Sequence, residues 1–209
     1  METLRKISLA VLFAMLFANI GTAQNYKALQ DAFSASYKHE TSAEYSKAVD
    51  DLKKLYEENK NSYEVNLRLG WLYYMSGQFT TSCTYYQKAM QLMPMSIEAK
   101  LGFVSPAAAL GNWDQVKTQY LDIIKIDDKH YTANFRMGMI LYGKQKYTEA
   151  FKYFEKIANL YPFDYDAIHM YAWEHYRLQK TREAKVLFNK VLMIKPGDTS
   201  ALEGLSLIK

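Results

Sequence analysis

Two stretches decide the fold: MGMILYGKQKYTEAFKYFEKIANLYP (137–162) and LGWLYYMSGQFTTSCTYYQKAMQLMP (69–94). They lie 68 residues apart, twice 34, and the intermediate and flanking windows complete a series of five: 29–62, 63–96, 97–130, 131–164 and 165–198. No insertion or deletion breaks the register, and a fixed period of this length marks a repeat architecture. Numbering each window from 1 to 34, places 4, 7, 8 and 11 recur as a helical stripe at i, i+3, i+4 and i+7. Place 8 is mostly small (Ser36, Gly70, Val104, Gly138, Ala172), as is place 20 (Ala48, Ser82, Val116, Ala150, Ala184). Place 24 holds Leu52, Tyr86, Tyr120, Phe154 and Phe188. Small residues at 8 and 20 let two helices approach, and the rings at 24 fill the space beside them.

Gly77 and Gly111 fall between the helices at place 15, with a ring two residues later in four windows: Tyr45, Phe79, Trp113 and Tyr147. Pro94, Pro162 and Pro196 at place 32 stop the second helix. Each window therefore reads as two antiparallel helices. One pair cannot bury its apolar face alone, so five stack on a shared core.

This pattern resembles the tetratricopeptide repeat, over 170 of the 186 residues that follow position 23. The match is best in windows two (Leu69, Gly70, Tyr73, Tyr86, Ala89, Pro94) and four (Met137, Gly138, Ala150, Phe154, Pro162). Window three departs most, with Val104 and Val116 at the small places, Asp128 instead of Pro, and Pro106 inside its first helix, where a kink is expected. The resemblance implies an all-α, right-handed α-solenoid of five tetratricopeptide helix pairs (29–198) plus a C-terminal capping helix (199–209). The carboxylate clamp known in this family is missing: of its five places, the frame beginning at window two keeps only Arg136.

Family geometry implies that places 2, 5, 6, 9, 12 and 13 of each first helix face a concave groove. These places are largely apolar and aromatic: Arg68, Trp71 and Tyr74; Phe135, Arg136, Met139 and Tyr142; His169, Trp173, Tyr176 and Arg177. Window three offers Leu101 with Gly102, Ser105, Ala108 and Ala109, so its part of the groove should be hollow. A helix apolar on two stripes either packs all round or presents a binding face, and both readings stand at this point. A partner groove fits the enrichment in rings and Arg. A closed pocket near Ser105 and Ala108 would instead favour a small or carbohydrate ligand.

Composition narrows the function classes. Of 209 residues, 49% are hydrophobic, which excludes disorder. The single Cys, Cys83, excludes an internal disulfide and reads as a small buried residue. A net charge of +4 argues against a nucleic-acid partner. His169 and His175 are six apart, unsuited to a shared metal, and no H-E-x-x-H, phosphate loop or G-x-S-x-G occurs, so neither cofactor nor metal nor enzyme activity is expected.

Residues 1–23 follow the order of a signal peptide: Arg5 and Lys6, an apolar run from Ile7 to Ala18, then Gly21 and Ala23. Twelve apolar residues are too few for the ~20 that span a bilayer as a helix, so no stable membrane insertion is expected after cleavage. No Asn-x-Ser/Thr sequon occurs, and the expected location is outside the cytoplasm of a bacterium, periplasmic or secreted. The expected role is a protein or peptide-binding scaffold. Self-association is a further expectation, because residues 199–209 make a thin cap.

Overall fold

The computed structural model describes residues 26–208; the signal-peptide reading lies outside them. They are helical throughout, with no strand, and form two compact units that meet in sequence between Pro94 and Met95. The first unit holds α1 (26–41), α2 (Tyr45–Lys53), α3 (Tyr56–Asn59), α4 (Tyr63–Met75) and α5 (Phe79–Leu92). The second holds α6 (Ile97–Ala109), α7 (Trp113–Ile126), α8 (Tyr131–Gly143), α9 (Tyr147–Leu160), α10 (Tyr165–Arg177), α11 (Thr181–Ile194) and the terminal α12 (Thr199–Leu207). Within the second unit each helix packs on the next in chain order.

Every repeat boundary is built by the same capping bond. Ser62, Ser96, His130, Asp164 and Asp198 occupy place 34, and each side chain accepts from the backbone N–H three residues on. These caps satisfy donors that a helix start leaves unpaired. The carboxylates are also clasped by the first residue of their own window: Tyr131 donates to Asp164 at 2.6 Å and Tyr165 to Asp198 at 2.7 Å. Burial raises the Asp198 pKa, but Tyr165, the Ala201 N–H and Lys195 outweigh it and hold that carboxyl down at about 2. The turn within each repeat places residue 15 at positive φ in all five cases: Ala43, Gly77, Gly111, Gln145 and Gln179.

The second helices α5, α9 and α11 end two residues before Pro94, Pro162 and Pro196. Helix α7 ends at the same place without a proline, and there the Asp127 carboxylate accepts from the Lys129 N–H at 3.0 Å. The first repeat departs from a simple pair, since its second helix is broken after Lys53 and resumes as α3. Helix α6 passes through the buried Pro106 and continues to Ala109.

The cores form where rings meet small residues. The Tyr86 ring lies on Gly70, where a Cβ would sit 2.9 Å from its Cγ; Phe154 lies on Gly138, at 2.6 Å from its Cζ. Phe188 lies on Gly204 of α12 in the same way, so the terminal helix continues the stack. That helix buries Ala201 and Gly204 and leaves Leu202 and Leu207 exposed.

Candidate functional site

The site residues expected from sequence divide between the two units. In the first unit, Arg68, Trp71 and Tyr74 on α4 are engaged within the chain. Arg68 is buried, ion-paired with Glu40, donating from Nε to Ser36 Oγ at 3.2 Å and lying 3.8 Å above the centre of the Tyr37 ring. The Trp71 indole donates to the same Glu40 carboxylate, although its ring is exposed. Tyr74 lies between Trp71 and Phe79, with ring centres 5.9 Å from each. This cluster clasps α1 to α4.

The remaining residues lie in the second unit, and all but Leu101, Phe135 and Tyr176 border two cavities. The larger, about 540 Å³, opens between α6, α7 and α8. Its α6 wall is Val104, Ser105 and Ala108, and its α7 wall is Trp113, Val116 and Tyr120. Arg136, Met139, Ile140 and Gly143, with Lys144, supply the third wall from α8 and its C-terminus. Leu101 is half-buried beside it in sequence on α6 and does not line it.

The hollow has a local cause. In the pair α8/α9, Gly138 admits the Phe154 ring and Tyr142 meets the place-17 ring Tyr147 edge-on at 5.4 Å. In α6/α7 the corresponding residues are Val104 and Ala108. The branched Val104 denies Tyr120 the seat that glycine provides, and Ala108 is too short to reach Trp113, which is 56% exposed. A larger residue at place 8 and a smaller one at place 12 of the same pair coincide with the open space. Burial pushes the Tyr120 phenol pKa up, with Arg136 opposing the shift.

The second cavity, about 360 Å³, shares Met139 with the first. Tyr142, His169, Met170, Trp173, Arg177 and Glu203 complete it. Arg177 donates to the Tyr142 hydroxyl at 3.4 Å, and its guanidinium lies within 5.9 Å of the centres of the Tyr147, Trp173 and Tyr176 rings. Trp173 and His169 also brace α12: the Trp173 indole donates to His169 Nε2 at 3.2 Å and to Ser200 Oγ at 3.0 Å, and Ser200 lies 2.8 Å from His169 Nε2. An Nε2 that accepts from the indole is unprotonated, and burial lowers the His169 pKa in keeping with that. Phe135 lines neither cavity; it stacks on Tyr131 and meets Phe154 edge-on.

No group of three His, Cys, Asp or Glu suited to a metal occurs among the described residues. Each histidine has a packing role: His39 bonds Asp51, His130 caps α8, His169 braces α12 and His175 is buried against Phe151 and Tyr171. Cys83 is free and buried, as expected from sequence. No helix of the described residues is long and apolar enough to cross a membrane.

The tetratricopeptide repeat family profile matches residues 64–94 and 132–164. These two stretches are tetratricopeptide repeats. A tetratricopeptide repeat protein from Parabacteroides merdae has a similar fold, with TM-score 0.73 and 18% identity over 86% of this chain and 72% of that one. Crystal structures of MamA (TM-score 0.69, 18% identity, 81% of this chain and 92% of that one) and of YrrB are similar too. YrrB, described as a tetratricopeptide protein with an unusual peptide-binding site, aligns with TM-score 0.68 and 15% identity over 88% of this chain and 98% of its own. These similarities establish the all-α tetratricopeptide solenoid class. No curated protein matches the sequence.

The expected partner face is only partly a shared surface. Met139, Tyr142, His169, Trp173 and Arg177 border one cavity, and Ser105, Ala108, Arg136 and Met139 the other. The α7 residues Trp113, Val116 and Tyr120 were not in the expected set, because the pattern assigned them to the helix joint. The signal that finds them is the coincidence of Val at place 8 with Ala at place 12.

Proposed function

We propose that this tetratricopeptide protein is a non-catalytic scaffold that holds a segment of a partner protein along the α6, α8 and α10 side of its second unit. One observation carries the reading. Exposed or half-exposed Arg136, Met139, Tyr142, Trp173 and Arg177 border two cavities that share Met139. Rings and Arg dominate protein recognition, and a continuous apolar surface with charged edges suits an extended segment. The peptide-binding site attributed to the similar fold of YrrB is consistent with this. The basic, apolar and small-residue order of positions 1–23 supports action outside a bacterial cytoplasm, in the periplasm or beyond it.

The experiment is site-specific photo-cross-linking in cells, with the reactive residue at Met139 and, as control, at the exposed Lys152 on α9. A defined protein adduct from Met139 and none from Lys152 is the expected result. Equal adducts from both positions, or none from either, would sink the proposal. A second reading, a small or carbohydrate ligand, is favoured by the volume of the α6–α7–α8 hollow, which lies in the ~300–1,000 Å³ range of small-molecule sites.

A further inference from the structure

We infer that the hollow between α6, α7 and α8 receives one aromatic side chain of an extended, acidic peptide segment, with carboxylates two residues before and two after the inserted ring. This rests on the partner-segment reading and specifies its chemistry.

The interior of the hollow is apolar and ring-lined, by Trp113 and Tyr120 with the Met139 thioether. Aromatic rings pair favourably with both rings and sulfur. The charges are one-sided: Arg136 and Lys144 line it, and no acidic residue does. Both cations are exposed and neither forms an ion pair among the described residues. Arg68 in the first unit makes the contrast, since Glu40 already neutralises it. An apolar chamber with two unpaired cations complements an apolar anchor bearing negative charge.

Spacing fixes the arrangement. Arg136 and Lys144 are eight residues apart, about 12 Å along a helix at 1.5 Å per residue. An extended peptide covers that distance in about four residues at 3.3 Å each. Residues i, i+2 and i+4 of such a peptide point the same way. Carboxylates at i and i+4 would therefore meet the two cations while the side chain at i+2 enters the hollow. A helical segment would need its charges eight residues apart, with several anchors between them, for which the single hollow has no room.

The probe is the blocked pentapeptide Asp-Ser-Phe-Ser-Asp, titrated into the full chain while the methyl resonances of Ala108, Met139 and Ile140 are followed by NMR. Saturable shifts are expected, weakened at least tenfold in the double variant Arg136→Glu/Lys144→Glu and by high salt. The peptides Lys-Ser-Phe-Ser-Lys and Asp-Ser-Ala-Ser-Asp should give no saturable shift. Ala108→Tyr, which places in the hollow the ring that Tyr142 supplies in the next repeat, should abolish binding. Should that variant fail to fold, the charge-reversal pair decides alone. Equal response to the lysine peptide, undiminished binding by either variant, or an equal response to hexanoate alone would each overturn the inference. If the pentapeptide fails but Met139 still cross-links a protein in cells, this chemistry is wrong and the scaffold reading survives. If both fail, both fall.

Discussion

Helix pairs α6/α7 and α8/α9 follow one another in the same unit and share a register, yet one is open and the other closed. In α8/α9 glycine at place 8 seats a phenylalanine, and tyrosine at place 12 meets the ring at place 17. In α6/α7, Val104 and Ala108 stand at those two places, and a cavity of about 540 Å³ results. Two side-chain sizes, one too large and one too small, are enough to turn a packing joint into a chamber. The repeat tolerates this because stability is shared with the neighbouring helices, so one imperfect pair does not unfold the stack. Function can then be placed where packing is weakest.

The strongest way to break the comparison is to give the closed pair the residue of the open one. Gly138→Val would drive a Cβ to 2.6 Å from Cζ of Phe154, a fully buried ring. A loss of about 3 kcal/mol in urea unfolding is expected, at the upper end of overpacking costs. A loss under about 0.5 kcal/mol would show that ring seating does not distinguish the two pairs.

Repeat five carries a different departure, at place 10, where the others in the second unit have Pro106 and Ile140. Its Glu174 is fully buried and both carboxylate oxygens lack a hydrogen-bond partner. Burial pushes its pKa up to about 7, against a smaller opposing effect of Arg177. The folded chain thus holds a proton that the unfolded chain releases near pH 4.5, so this group's contribution is full below pH 4.5 and is lost as pH rises through 7. His169 and His175, both lowered by burial, act in the opposite sense, favouring the fold above their unfolded value of 6.5. Glu174→Leu removes only the first effect. It should stabilise the chain by about 2 kcal/mol at pH 8 and by much less at pH 5. Equal gains at both pH values would mean that the carboxyl is already neutral, or already partnered, at pH 8.

Much of this was legible beforehand. The 34-residue register predicts helix pairs, and the small Gly102, Ser105, Ala108 and Ala109 predict a hollow at the third repeat; from α4 onward the first helices start 34 residues apart, as do the second helices from α5, and a hollow lined by Ser105 and Ala108 is present. What sequence reading missed depends on pairs about one repeat apart. Nothing local to Arg68 reveals that Glu40, on the neighbouring first helix, takes up its charge. Trp173 likewise looks like a binding ring until Ser200 of α12 is found against its indole. The place-34 caps are a local signal, Ser, Asp or His just before an apolar helix, which the apolar periodicity does not contain.

Ala108→Tyr sharpens the comparison from the other side. A tyrosine at place 12 should meet Trp113 as Tyr142 meets Tyr147, filling part of the hollow without displacing any side chain. A gain of about 1 kcal/mol is expected from a new ring pair with added burial. A loss of stability would mean that the Trp113 ring is held by contacts that the tyrosine disrupts.

The smallest effect concerns the turn that both pairs share. Residue 15 is left-handed in each, but it is Gly111 in the open pair and Gln145 in the closed one, at φ 75° and 58°. A residue with a Cβ costs roughly 1–2 kcal/mol in that conformation, while glycine gives back about 0.4–1 kcal/mol through the greater freedom of its unfolded chain. Gln145→Gly should therefore stabilise by only about 0.5 kcal/mol, and Gly111→Gln should destabilise by a similar amount. The pair of substitutions is more informative than either alone. If the two shifts in urea midpoint are equal and opposite, the turns are independent of the packing beside them. If Gly111→Gln costs clearly less, the open pair is also the one whose turn yields, and the chamber's looseness reaches the backbone that frames it.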